Sequence, residues 1–277
     1  DKFIKKKIHN KVNILNDWKK IKTIDVDLII IATPTQVTEQ IVKELAGKFN
    51  LLVEKPITTN IKLMNKLVHK SNKNNLLFKV GYNLRFDDGL LLAKNIFNSG
   101  KVGSIYYCKI FYANGATKTN TNKVGSLMDM GSHSLNLLEW FFNNSKIVPS
   151  YSVFQSNEFM NKSKVDNGFI FLKIKKIICI IHHGFCSWKN IFNLELSGSK
   201  GYLNITSLSK WGDQKVSLGL RKYPSGIPKI KEWSFKQDNS WKNELIFVLE
   251  KILSKDFNYS SINNEGYNTL KLIKKIK

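Results

Sequence analysis

The sequence predicts an α/β protein in two parts. Residues 1–82 read as part of a doubly wound parallel sheet, and residues 83–277 as an α+β unit on a mostly antiparallel open sheet. Three observations predict this. Up to Gly81, short apolar runs alternate with helix-length amphipathic stretches, the pattern of strands buried on both faces and joined by crossover helices. After Ile105 the runs become alternating or aromatic-rich, with Gly and Ser turns between some of them. The 277 residues suffice for two cores, and no apolar run approaches the ~20 residues that cross a bilayer.

In chain order, Asn16-Asp17 can cap a short helix over 18–24. Residues 27–32 (DLIIIA) form the first buried strand, broken by Thr33-Pro34-Thr35. Val37, Ile41, Val42 and Leu45 recur at helical spacing over 36–46, and Gly47 ends that helix. The strand over 50–53 stops at Glu54-Lys55-Pro56. A helix over 58–71 places Ile61, Met64, Leu67 and Val68 on one face, and the strand over 76–80 ends at Gly81. Short connections between these elements imply right-handed crossovers and a parallel sheet. A helix over 90–99 closes at Gly100. Strands follow over 105–113, 150–157, 167–175, 176–184 and 190–205, interrupted by a helix over 131–142. Two more helices are expected over 241–255 and 265–276.

The net charge is +23, from 44 Lys and Arg against 21 Asp and Glu. The lysines are spread along the chain, often beside Asn and Ile, as AT-rich codons favour. They read as a solvated surface, not a nucleic-acid or membrane footprint, and no RNA-binding motif interleaves them with aromatics. Cys108, Cys179 and Cys186 are scattered without a C-x-x-C pair, so they read as ordinary thiols and no metal is expected. The N-terminus has no apolar signal region, and a cytoplasmic location is expected. The first residue is Asp, which suggests a fragment or a processed chain.

Three features carry candidate chemistry. Glu54-Lys55-Pro56 follows a buried parallel strand, at the carboxyl edge where such sheets bind ligands. A partly desolvated Lys55 there suits proton transfer or polarisation of a hydroxyl; the plain alternative is a surface turn. Asp129-x-Gly131-x-His133 opens a helix, with the carboxylate and imidazole on one face. The alternative is an Asp cap and a packed His. Gly81-Tyr82-Asn83-Leu84-Arg85-Phe86 marks the change of character, where a site between two units can form. Arg85 there binds an anionic group or pairs with a carboxylate.

Taken together and in order, these segments resemble the Gfo/Idh/MocA oxidoreductases. DLIIIATPTQVTEQI is similar to that family's strand-Thr-Pro-helix segment, where His is common at the place of Gln36. LLVEKPITTN is similar to its E-K-P motif, and KVGYNLRF and residues 100–105 follow as they do there. GSLMDMGSHSLNLLEWF resembles its D-x-G-x-H segment. The stretches 188–192, 198–201 and 238–244 resemble members linked to surface-polysaccharide sugars. The resemblance runs from about Asn13 onward.

The resemblance implies a Rossmann domain, NAD or NADP as cofactor, and a sugar, nucleotide sugar or cyclitol as substrate. Thr33, Pro34 and Gln36 would lie along the dinucleotide, Glu54 near the ribose and Asn83 near the nicotinamide. Lys55 would contact cofactor and reacting hydroxyl. Asp129 would position the substrate and His133, which removes the hydroxyl proton. Arg85 would bind substrate. A homodimer or homotetramer through the second sheet is expected. One departure is the absence of a G-x-G-x-x-G turn, with too few residues before Asp27 to hold that unit. The implied expectation is a domain whose first half lies outside this chain, so that the chain by itself binds cofactor poorly. The alternative in a different class is a non-catalytic family member or fragment serving as a binding subunit.

Overall fold

A computed structural model describes residues 15–115, 124–156, 165–254 and 258–276. The first half contains β1 (Ile29–Ile31), α1 (Thr35–Leu45), β2 (Leu51–Glu54), α2 (Ile61–Lys73), β3 (Phe78–Gly81), α3 (Asp88–Asn98) and β4 (Ile105–Gly115). It continues with α4 (Ser132–Phe141), β5 (Ile147–Gln155), β6 (Asn167–Ile174), β7 (Ile177–Ser187), β8 (Ile191–Gly198) and β9 (Gly201–Thr206). The chain closes with β10 (Gln214–Leu220), β11 (Lys229–Phe235), α5 (Ser240–Leu253) and α6 (Ser260–Ile273).

β1, β2 and β3 form a parallel sheet in that order. Ile41, Val42 and Leu45 of α1 and Met64, Leu67 and Val68 of α2 pack on Val53, Phe78 and Val80, as their helical spacing requires. α2 begins three residues later than expected. Asn60 is its N-cap and accepts from the Leu63 N–H at 3.1 Å, while Thr58 stays outside and donates to Glu39. β1 also departs from expectation, because Ile30 is 54% exposed. Its neighbour Leu52 on the same face is covered by Val248 and Ile262, but that cover stops short of β1.

The cover comes from α5 and α6, which return from the end of the chain to the first sheet. Asn263, fully buried, fastens α6 there. Its Oδ1 accepts from the Phe78 N–H at 2.6 Å, and its Nδ2 donates to Asn72 Oδ1 and Leu76 O. Gly266 faces Val80 and Met64 so closely that an added Cβ would strike both.

The second sheet has eight strands in the order β11-β10-β9-β8-β4-β7-β6-β5, antiparallel except for the parallel pair β4–β7. Its inner face packs Ile110, Ile170, Ile181 and Leu194 against Leu135 and Leu138 of α4 and Leu90 of α3. The outer face leaves Tyr151, Val153, Phe169 and Ile178 exposed. β10 and β11 extend the sheet beyond what the periodicity announces. β11 is an edge strand rich in Lys and Glu, a composition that hides a strand while discouraging edge-to-edge pairing.

Candidate active site

The carboxyl ends of β1, β2 and β3 present Thr33-Pro34, Glu54-Lys55 and Tyr82-Asn83 along one edge. Thr33, Pro34 and Gln36 are exposed at the start of α1. Thr33 is held by Thr38, whose hydroxyl donates to the Thr33 carbonyl at 2.7 Å.

Lys55 reaches across from this edge to the second unit. Its ammonium forms an ion pair with the Asp129 carboxylate and donates to the Asp129 carbonyl at 3.2 Å. Asp129 does not cap a helix, the plain alternative for this segment. It lies inside a π turn, Leu127–Gly131, that runs directly into α4. Such turns widen a helix locally and recur at functional sites.

One turn on, His133 is 5% exposed, with the rings of Tyr82 and Tyr112 edge-on at 5.6 and 5.8 Å. Its Nδ1 has no hydrogen-bond partner among the described residues. Burial pushes its pKa well below the usual imidazole value, and the ammonium groups of Lys55 and Lys210 push the same way. His133 is therefore neutral at neutral pH. A small cavity of about 20 Å³, lined by Lys55, Thr58, Tyr82, Met128, Ser132 and Gly266, lies where the two sheets' elements meet.

Glu54 ends β2 with its pKa raised to about 7, first by burial and then by the Glu244 carboxylate, against the pull of Lys55. Asn83 is buried and donates to Ser240 Oγ at 2.8 Å. Arg85 takes the second of its two sequence readings. It is 7% exposed, donates to Asn136 Oδ1 at 2.6 Å and to the Asn136 carbonyl, and pairs with Glu265 at 2.9 Å. A guanidinium so engaged ties α6 to α4 instead of facing a substrate.

Sequence reasoning passes over the residues beside His133 on the second sheet. Lys210, on the 3-10 turn Ser209–Trp211, donates to Tyr112 Oη at 3.2 Å and lies over the Trp211 and Tyr112 rings. It is exposed, yet surrounding protein lowers its pKa, as does Lys55. The turn itself is fixed from behind, where Ser209 and Gln214 both donate to Asp87 at 2.8 Å. A Lys-Trp pair in a turn carries no motif, and Tyr112 reads in sequence as one more strand aromatic.

Residues 4–82 match the family described as oxidoreductases with an NAD-binding Rossmann fold, and residues 90–204 match the GFO/IDH/MocA C-terminal domain. An uncharacterized oxidoreductase of Streptococcus pneumoniae serotype 4 is 32% identical over 85 residues, 30% of this chain and 23% of that protein. Another from Bacillus subtilis is 28% identical over 133 residues, 46% and 38% of the two chains. A 2,7-anhydro-N-acetylneuraminate hydratase of Mediterraneibacter gnavus is 29% identical over 85 residues, 30% of this chain and 23% of that protein. These matches span well under half of each relative's length. Among solved structures, a 3-ketoreductase from Actinomadura kijaniata in complex with NADP and TDP-benzene superposes with a TM-score of 0.79 at 14% identity, over 95% of this chain and 81% of that one. A UDP-N-acetylglucosamine 3-dehydrogenase from Acidithiobacillus ferrooxidans gives 0.72 at 14% identity, over 91% and 78%. At such identity the likeness is one of fold.

Proposed function

The chain belongs to the GFO/IDH/MocA oxidoreductase family, and from that premise we propose that it transfers a hydride between NAD or NADP and a hydroxyl-bearing carbon of a sugar, nucleotide sugar or cyclitol. The observation that carries the reading is the bond from Lys55 of the first sheet to Asp129 of the second unit, with neutral, buried His133 one turn away. The division at residues 82 and 83 is kept as part of the proposal, with α5 and α6 crossing back to complete the first unit.

The residues present fit a dinucleotide. Thr33, Pro34 and Gln36 offer an exposed polar rim at the carboxyl edge of a parallel sheet, the usual seat of such ligands. Glu54 and Asn83 flank it on the next two strands. The nicotinamide, when bound, supplies or accepts the hydride. Lys55 donates a hydrogen bond to the reacting sugar oxygen, and Asp129 holds that ammonium in place. His133 takes the hydroxyl proton during oxidation and returns it during reduction. Tyr112, Lys210 and Trp211 bound the substrate on the far side. No helix among the described residues is long and apolar enough to cross a membrane, and we assign the enzyme to the cytoplasm.

In the full protein, Lys55→Ala and His133→Ala are expected to lower turnover of NAD(P)H with a panel of keto sugars at least ~100-fold. Asp129→Asn is expected to cost less, because it orients other groups. A His133→Ala enzyme with wild-type turnover would remove His133 as the proton carrier. Addition or loss of water with no net cofactor consumption would overturn the dehydrogenase reading.

A further inference from the structure

Ser126 immediately precedes the π turn that carries Asp129, and it is fully buried. Its N–H and its hydroxyl both donate to the Val165 carbonyl, at 2.8 and 3.2 Å. Its Oγ also shares a 2.9 Å hydrogen bond with Nδ1 of His183 on β7. With the hydroxyl proton on Val165, the imidazole carries its proton on Nδ1 and donates it to Oγ.

Two glycines leave room for this ring. A Cβ at Gly131, the last residue of the π turn, would stand 3.3 Å from the imidazole Cδ2. A Cβ at Gly168 on β6 would stand 2.9 Å from Cε1 and Nε2. Nε2 is buried with no partner among the described residues. Burying an imidazole with an unmet nitrogen is costly, and burial accordingly pushes its pKa down to about 3, with a smaller push from His182. An apolar side chain would fill the space without that cost. What the imidazole adds is a directional hold on Ser126, at the root of the turn.

We propose that His183 is a positioning residue. By holding Ser126 it fixes the π turn, and through the turn the reach of Asp129 to Lys55 and the seat of His133. The proposal rests on the reading of Lys55, Asp129 and His133 as the reacting groups. Nothing in the reaction itself requires His183 to touch substrate.

Three variants of the full protein test it. Ser126→Ala removes one oxygen, His183→Leu fills the space without a donor, and His183→Asn restores a donor near the Nδ1 position. The measurements are kcat, KM for the cofactor, melting temperature and the NMR shifts of the His133 imidazole. Ser126→Ala and His183→Leu are expected to lower kcat about ten-fold or more, since small misplacements of reacting groups are costly. The loss should fall on kcat more than on the cofactor KM, because the turn bears on the reacting groups. The His133 signals should move, and His183→Asn should recover most of kcat. Ser126→Ala guards the test against a His183→Leu chain that fails to fold. Unmoved His133 signals in Ser126→Ala, or equal kcat losses in the Asn and Leu variants, would overturn the proposal. A wild-type protein with no hydride transfer to any sugar would instead sink the functional reading, and the His133 signals would still decide the positioning role.

Discussion

Lys55 and Asp129 stand 74 residues apart in sequence and share an ion pair at the junction of the two sheets. Each is acceptable there because the other is present, since an unpaired charge in a half-buried cleft is costly. Arg85 shows the same logic put to structural use. Arg85→Ala would leave Glu265 to Lys79 alone in a buried setting, and is expected to cost about 3–5 kcal/mol of stability. Chemical denaturation checks this, and a fall in substrate affinity at unchanged stability would contradict it. Glu54 and Glu139 give a prediction in pH. Both have folded pKa values raised to about 7 from 4.5, chiefly by burial. A carboxyl raised in the folded state contributes stability that is full below about 4.5 and lost as pH rises through about 7. Glu54→Gln in the cofactor-free protein should therefore flatten the fall in melting temperature across that window and raise it on the alkaline side. An unchanged slope would count against the burial of Glu54.

Among the elements, α6 fastens the two units together, and the sequence conceals its role. Its apolar spacing announces a helix, but nothing in the spacing says that the helix packs on a sheet nearly two hundred residues earlier. Gly266→Val should destabilise the protein by about 1–3 kcal/mol through overpacking against Val80 and Met64. Its melting temperature is the check, and a neutral substitution would contradict the close approach. The strands and helices of the first sheet were legible because parallel strands buried on both faces leave unbroken apolar runs. β1 was legible as a strand and stands at the end of the described sheet. The D-x-G-x-H segment was legible as helix. Its π turn was not, because no residue type at that spacing marks the widening, and the strand it packs on, β7, is far away in sequence. Lys210 and Trp211 escaped for the same reason.

At the scale of the whole molecule, the outer face of the large sheet remains unexplained by the site. Tyr151 is 64% exposed and Ile178 53%, and they share that face with Val153 and Phe169 across neighbouring strands. An apolar sheet face of this kind suits a second copy of the same chain, and a homodimer or homotetramer through this face is the expected assembly. Sedimentation velocity should show it, with Ile178→Glu shifting the protein toward monomer. A wild-type monomer at high concentration would refute the assignment. In the proposed mechanism the two units meet around one proton-handling site, with Lys55 from one side and His133 from the other. The most direct measurement follows the hydride itself, using reduced nicotinamide deuterated at its transferable position and a panel of keto sugars read by NMR. Deuterium should appear on a single sugar carbon with the wild-type protein and fall at least ~100-fold with His133→Ala. No label on any sugar, or equal labelling by the two proteins, would contradict the account.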